Sequence, residues 1–368
     1  MRQTDAVLKA GLRAAYRQAC GATVLINGLL PRDEGIAVYY GGARVGDIGG
    51  PLVKVKRLNE HFPEVRRGFN LVYMLSNAPY LPKWALWILK GRRIPIVSNQ
   101  NGVFYKAWCG GDWQKENARM GLAYHSADWI FYQSEFCRRA AERFLGIRCG
   151  PGEVLYNAID TKRFIPRQSV LESRSPYTFL VTGKIGNHLA YRLENTLYAL
   201  RCARTVGLDA RLLVAGWIEE GARRSADKLA QQLGLDAVVT YLGPYTQSQA
   251  PKIYQSADAY VMTKHNDPCP NTVLEAMACG LPVLYSNSGG VPELVGDAAG
   301  VAVSCLEDWE QVQVPDPERL GEGMMLIAKN HAEYSLQARQ MAVQRFDMDH
   351  WIKRHRTVFN RLLELDVA

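Results

Sequence analysis

The chain has 368 residues, 48% of them hydrophobic and 22% charged, which is enough to bury two cores and long for one. Its net charge of +8 is unevenly placed: residues 1–160 hold 22 Lys+Arg against 13 Asp+Glu, and residues 161–368 hold 22 against 23. This composition excludes a disordered chain, and eight scattered cysteines without a CxxC pair exclude a zinc ribbon or a disulfide scaffold.

The N-terminal stretch MRQTDAVLKAGLRAAYRQAC has no uninterrupted apolar run, so no signal peptide is predicted. No segment approaches the roughly 20 apolar residues that cross a bilayer. The cysteines then read as free thiols of a cytoplasmic protein, soluble or peripheral to a membrane. The basic first half should attract anionic partners, and charge alone leaves nucleic acid, acidic lipid and anionic glycan open.

In chain order, the first half reads as strands TVLING, AVYYG, FNLVYML, IPIVSN and DWIFYQS, with a helix over LVKVKRLNEHF after the loop VGDIGGP. YLPKWALWILKGRR (Tyr80 to Arg93) interleaves Trp84 and Trp87 with Lys83, Lys90, Arg92 and Arg93. That pattern suits either a core-facing helix with a basic end or an interfacial helix on anionic lipid. A linker is expected around Asn157 to Ser175, where prolines and polar residues break the pattern.

The second half alternates strands with helices: YTFLVT, the loop GKIGN, a helix through LENTLYALRCARTVG, RLLVAG, the helix ADKLAQQLG, VVTYLG, the helix APKIYQSA and DAYVMT. NTVLEAMACG is a helix, LPVLYS a strand and VPELVG a short helix. Strands without a polar face, separated by helices, predict a parallel sheet covered on both sides. The terminal segment DMDHWIKRHRTVFNRLLEL carries Trp351, Ile352, Val358, Phe359, Leu362 and Leu363 at helical spacing.

The densest chemistry lies in HNDPCPNTVLEAMACGLPVLYSNSGGVPE, residues 265–293. The prolines that follow keep Asp267 in a loop. A helix is expected to start near Asn271 or Thr272, with Glu275 in its first turn, and to stop at Gly280. Free N–H groups at such a start suit a diphosphate, and carboxylates beside it suit sugar hydroxyls. Two plainer readings stand beside this one. Thr272-x-x-Glu275 is also a capping box, and Asp267 before a proline is also a turn residue.

The carboxylate–x7–carboxylate spacing followed by LEAMACGLPV and SGGVPE resembles the donor-site signature of family-4 (group 1) glycosyltransferases. The usual first residue is Glu, where this chain has Asp267. YNAIDTKRF, YQSEFCRRA and LGPYTQSQAPKIYQSADAYV resemble further stretches of that family, over most of residues 125–368. The resemblance implies an α/β protein of GT-B fold: two facing Rossmann-like domains with parallel sheets and a deep interdomain cleft. The expected domains are 1–160 on the acceptor side and 161–346 on the donor side, with the helix of 347–368 packing back on the first.

The resemblance also implies roles. Asp267 contacts the donor sugar and Glu275 the ribose, and both count as catalytic candidates with Lys184. Lys184 and Arg192, in TGKIGNHLAYRLEN, neutralise the diphosphate, although no "KG" pair is present and Arg192 also reads as a solvated helix-start residue. His188, in the same loop, reads as a surface histidine. Gly243 and Tyr245 border the base, Asn271 and Thr272 open the phosphate-facing helix, and Gly49 and Gly50 bring first-domain backbone toward the phosphate or form a plain turn. Where many relatives place a first-domain histidine, IVSNQNGVFY offers Gln100 and Asn101.

The implied reaction moves a sugar from a nucleotide-diphosphate donor to a glycan or lipid-linked acceptor, with retention and with neither metal nor cofactor. The implied partners are the nucleotide sugar, that acceptor and an anionic membrane face, as in polysaccharide biosynthesis. An epimerase or sugar phosphorylase sharing the two-domain cleft is the alternative. An oxidoreductase lacks its GxGxxG, and a nucleic-acid binder leaves residues 265–293 without a task.

Overall fold

The computed structural model describes residues 2–46, 50–169, 171–172 and 174–365. The chain divides into two compact units: one runs to Leu155 and takes in the chain from Trp351 on, and the other is Tyr156–His350.

The first unit opens on helix α1 (Arg2–Asn27). TVLING, expected as a strand, forms the end of this helix. Cys20, Val24 and Asn27 are buried at i, i+4 and i+7, while Leu25 and Ile26 between them are exposed. A run buried on one face every three or four residues is helical, whatever its β-branched content. Asn27 anchors the end: its Nδ2 donates to Phe69 O (3.0 Å) and its Oδ1 accepts from Gly68 N (2.6 Å).

The parallel strands β1 (Val38–Tyr39), β2 (Leu71–Leu75), β3 (Ile96–Gln100), β4 (Trp129–Tyr132) and β5 (Gly152–Val154) follow, ordered in space as in the chain. Helices α2 (Gly50–His61), α3 (Lys83–Gly91), α4 (Trp113–Ser126) and α5 (Glu135–Leu145) connect them. Ser134 caps α5, accepting from Cys137 N at 3.0 Å. In α3, Ala85, Leu86 and Leu89 are buried and Trp87 is 70% exposed. The last helix, α13 (Met348–Leu363), lays the His355 ring 4.5 Å from that of Phe131 and the Phe359 ring 5.0 Å from that of Phe62.

The second unit holds a six-stranded parallel sheet: β6 (Tyr177–Thr182), β7 (Ala210–Ala215), β8 (Val239–Gly243), β9 (Ala259–Met262), β10 (Val283–Ser286) and β11 (Gly300–Val303). The spatial order is β11-β10-β9-β6-β7-β8. Counted from β6, this is the 3-2-1-4-5-6 order of doubly wound sheets, read from its far edge. The winding direction reverses between β6 and β9, and the loops leaving those two strands diverge there. Helices α6 (Tyr191–Thr205), α7 (Glu220–Gln232), α8 (Ala250–Gln255), α9 (Asn271–Ala278) and α10 (Val291–Val295) connect the strands.

Strand β11 and helices α11 (Pro317–Lys329) and α12 (His331–Arg345) close this unit and add to the elements expected from sequence. The stretch expected as a linker is pinned to the second unit. Arg167 reaches the buried Asp258 carboxylate at 2.7 Å, and Asp258 Oδ2 accepts from Thr178 N at 2.8 Å.

Candidate functional site

Left-handed residues ring the carboxyl ends of the second sheet. Gly183 (φ +129°) follows β6, Gly216 (φ +117°) follows β7, and Gly243 (φ +74°) ends β8. Asn266 (φ 50°) and Gly289 (φ +70°) turn the chain after β9 and β10. At two of these positions space is as limiting as φ. A Cβ on Gly216 would lie 2.1 Å from Gly183 O, and one on Gly289 would lie 2.6 Å from Asp267 O.

Helix α9 starts beside the point where the winding reverses. Its N-cap is Pro270, and no side chain caps it. The expected cap residues Asn271 and Thr272 are instead its first two helical residues, and Glu275 sits one turn in rather than in the first turn. The capping-box reading therefore does not hold. Glu275 is 3% exposed, and its Oε2 accepts from Tyr254 Oη at 2.7 Å.

That contact belongs to a buried polar chain. Thr182 Oγ1 lies 3.3 Å from Tyr254 Oη and 3.1 Å from Tyr260 Oη, Tyr245 reaches Thr182 and Tyr254, and Thr272 reaches Tyr260. Burial and the nearby Glu275 charge push the Tyr245 phenol up to about 12 and Tyr254 well above its ordinary range. Both phenols stay protonated and able to donate.

Asp267 lies in the loop after β9. Its Oδ2 accepts from Lys264 Nζ (2.7 Å), and its Oδ1 from Cys269 N (3.3 Å) in the turn expected before a proline. Gly290 N donates to Asp267 O at 2.9 Å, so the SGGVPE loop holds the Asp267 loop from behind. A carboxylate paired with an ammonium repels a phosphate less and keeps lone pairs for hydroxyl donors.

Arg192 departs from its plainer reading as a solvated helix-start residue. It is buried, not solvated: 3% exposed, with its Nη2 donating to Thr182 O at 3.3 Å. Its Nε has no hydrogen-bond partner among the described residues, and neither do Asn266 Oδ1, Asn271 Oδ1 or His265 Nδ1. Buried polar atoms are nearly always paired, so these four orphans, on the segments that follow the adjacent strands β6 and β9, are candidates for ligand contact. Burial lowers the His265 pKa, while its Nε2 and Asn266 Nδ2 are both tied to Asp308 O at 2.9 Å. The Arg192 guanidinium and the open N-terminus of α9 supply positive potential, and Glu275 and Asp267 supply acceptors.

Lys184 is exposed in the loop after β6, its ammonium 5.0 Å from the centroid of the Trp217 ring. His188 is exposed in the same loop, as expected. Gly49 lies outside the described residues, and Gly50 is the first residue of α2 in the other unit. Gln100 turns inward, its Nε2 donating to Gly102 O (2.6 Å) and Met120 Sδ (3.3 Å), and Asn101 pairs with Ser76. The Gln100 Nε2 is thus used inside the first unit, while its buried Oε1 has no hydrogen-bond partner among the described residues.

Sequence reasoning missed Tyr254, Thr182, Tyr260, Lys264 and Trp217. A usable signal existed only for Trp217 and Thr182, which flank the strand-end glycines Gly216 and Gly183.

Comparison with known proteins places the chain as follows. The model of the family "Glycosyl transferases group 1" matches residues 167–333. The chain is 32% identical over 133 residues to a D-inositol 3-phosphate glycosyltransferase of Corynebacterium aurimucosum, 33% of this chain and 31% of that protein. It is 37% identical over 114 residues to one of Saccharomonospora viridis, 29% of this chain and 26% of that protein. The matched stretch thus spans under a third of these relatives' length.

Among solved structures, HepE of Anabaena in complex with UDP superposes with a TM-score of 0.63 at 17% identity, over 85% of this chain and 82% of that one. Sucrose-phosphate synthase of Thermosynechococcus elongatus gives 0.62 at 16%, over 84% and 76%. This likeness shows the fold, which is GT-B. Residues 167–333, less than half of the chain, are similar to the group 1 glycosyltransferases, and they hold the strand-end site.

Proposed function

We propose that the chain is a glycosyltransferase that moves a sugar from a nucleoside-diphosphate donor to a hydroxyl-bearing acceptor. The observation that carries this reading is the buried Arg192 with its unpaired Nε, beside the uncapped start of α9 and the buried Glu275. Arg192, Lys184 and the free N–H groups of α9 hold the diphosphate, whose charge grows as the sugar–oxygen bond breaks. Fixed donors at that place stabilise the leaving group without reorganising. In this reading they take the part that a divalent cation plays elsewhere, so the reaction runs without metal or cofactor. Glu275, oriented by Tyr254, accepts from the ribose hydroxyls, Asp267 accepts from the sugar, and Gly243 and Tyr245 border the base.

We take UDP as the nucleotide, because neighbours of the same fold are described in complex with UDP and UDP-glucose. In keeping with family-4 behaviour, the anomeric configuration is retained. The acceptor is a glycan or lipid-linked sugar in polysaccharide biosynthesis, met at the cytoplasmic membrane face. The exposed Trp87 with Lys83 and Lys90 on α3 supports peripheral contact there. No helix among the described residues is long and apolar enough to cross a membrane.

The test is release of nucleoside diphosphate from a panel of nucleotide sugars. Acceptor-dependent release that Glu275→Gln abolishes supports the transferase, and release unchanged by Glu275→Gln overturns this site. An epimerase would instead turn over without an acceptor, and a phosphorylase would require inorganic phosphate. Sedimentation with anionic vesicles at low salt tests the membrane contact, and its absence there sinks that part.

A further inference from the structure

The loops after β6 and β7 are joined. Gly183 N donates to Ala215 O (3.1 Å), Ile185 N to Trp217 O (2.8 Å) and Glu219 N to Ile185 O (2.8 Å). Glu219 Oε2 in turn accepts from Asn187 N at 2.8 Å. Gly216 allows this closeness, since a Cβ there would strike the Gly183 carbonyl. The backbone on either side of Lys184 is therefore fixed while its four-carbon stem is not.

Among the described residues no carboxylate lies within ion-pair distance of the Lys184 ammonium, which rests over the Trp217 indole. Trp217 is itself 44% exposed, although large aromatics usually bury.

We propose that Trp217 is a positioning residue for Lys184: the indole face holds the ammonium over the strand-end site, so that its remaining N–H groups meet the anionic phosphates of the donor. The inference rests on the diphosphate reading of that site. A lysine stem carries large rotamer entropy, and holding it beforehand lowers the cost of ordering it on binding. The ring approaches one side of the ammonium only, so ring and phosphate need not compete.

The test is a double-mutant cycle on UDP affinity, measured by titration calorimetry on the full chain with Trp217→Leu, Lys184→Met and the double variant. Trp217→Leu is expected to weaken UDP about two- to five-fold, the range of an exposed cation–π contact, with Trp217→Phe close to wild type. In the Lys184→Met background Trp217→Leu should change nothing further, a coupling that a merely structural tryptophan would not produce. Equal loss in both backgrounds, no loss in either, or tighter binding by Trp217→Leu overturns the positioning role alone. Unchanged affinity in Lys184→Met overturns the diphosphate reading and this inference with it. If Trp217→Leu melts early, Trp217→Gln takes its place in the cycle with the same expected coupling.

Discussion

Tyr254 Oη donates to Glu275 Oε2 across 2.7 Å, joining α8 to α9 beneath the strand-end site. Both groups are buried, so the carboxylate depends on protein donors for part of its solvation. Tyr254→Phe removes one such donor and leaves the carboxylate in place. A loss of about 1.5–3 kcal/mol is expected in chemical denaturation, the range for a hydrogen bond to a charged group. UDP should also bind more weakly, because Glu275 loses its orientation. A variant as stable as wild type would show that Glu275 is satisfied by other groups.

Arg192 should behave in the opposite way. Burying its guanidinium costs stability in the free protein, and the return comes only when an anion binds. Arg192→Met is therefore expected to melt no lower than wild type while UDP affinity falls at least about tenfold, the order of one lost charge-assisted contact. A lower melting temperature with unchanged affinity would make Arg192 a structural residue.

Gly289→Ala and Gly243→Ala separate two kinds of glycine. At Gly243 a Cβ meets nothing within 4 Å, so only the φ of +74° opposes it, at about 1–2 kcal/mol. At Gly289 the same strain is joined by a contact of 2.6 Å with Asp267 O. Gly289→Ala is thus expected to lose more stability than Gly243→Ala and to displace the Asp267 loop, with a loss of activity that Gly243→Ala does not match. Thermal melts and product release on both variants decide this.

Acid should unfold the protein partly through His355. The ring is fully buried, with Nδ1 2.9 Å from Trp351 O and Nε2 3.1 Å from Tyr73 Oη. A carbonyl only accepts, so Nδ1 donates, and the neutral ring accepts from Tyr73 through Nε2. Burial, with Lys54 adding to it, lowers the pKa to about 3 from 6.5. A folded pKa below the unfolded one means that protonation favours unfolding. Stability from this group is full above the unfolded pKa of 6.5. Below it, stability falls toward the folded value by up to about 1.4 kcal/mol per pH unit. Denaturation midpoints across that window should flatten in His355→Gln, and an unchanged slope would assign the acid sensitivity elsewhere.

The strand and helix order of the second unit was legible because glycines and prolines punctuate its strands and because residues 265–293 compress a loop, a helix start and a strand into one stretch. TVLING misleads because a short apolar run suits a strand and a half-buried helix equally, and only the burial of Cys20, Val24 and Asn27 separates them. Helix α11 hides behind Gly321 and Gly323, which weaken a helical pattern. Gly321 is there for packing: a Cβ on it would come within 2.9 Å of Cys202 Cβ. Arg192 could not be ranked from sequence, since burial of a helix-start arginine depends on what the sheet places above it. The Tyr254–Glu275 contact bridges residues 21 apart on different helices, and no local pattern records such a pairing.

The glycines at the strand ends have a consequence for anyone wishing to retune this protein. Main chain, not side chain, forms that part of the rim, and Gly216 and Gly289 have no room for any replacement. Libraries aimed at a new ligand would be wasted there. Trp217 and Tyr245 carry no left-handed constraint, but change there trades against their contacts with Lys184, Thr182 and Tyr254.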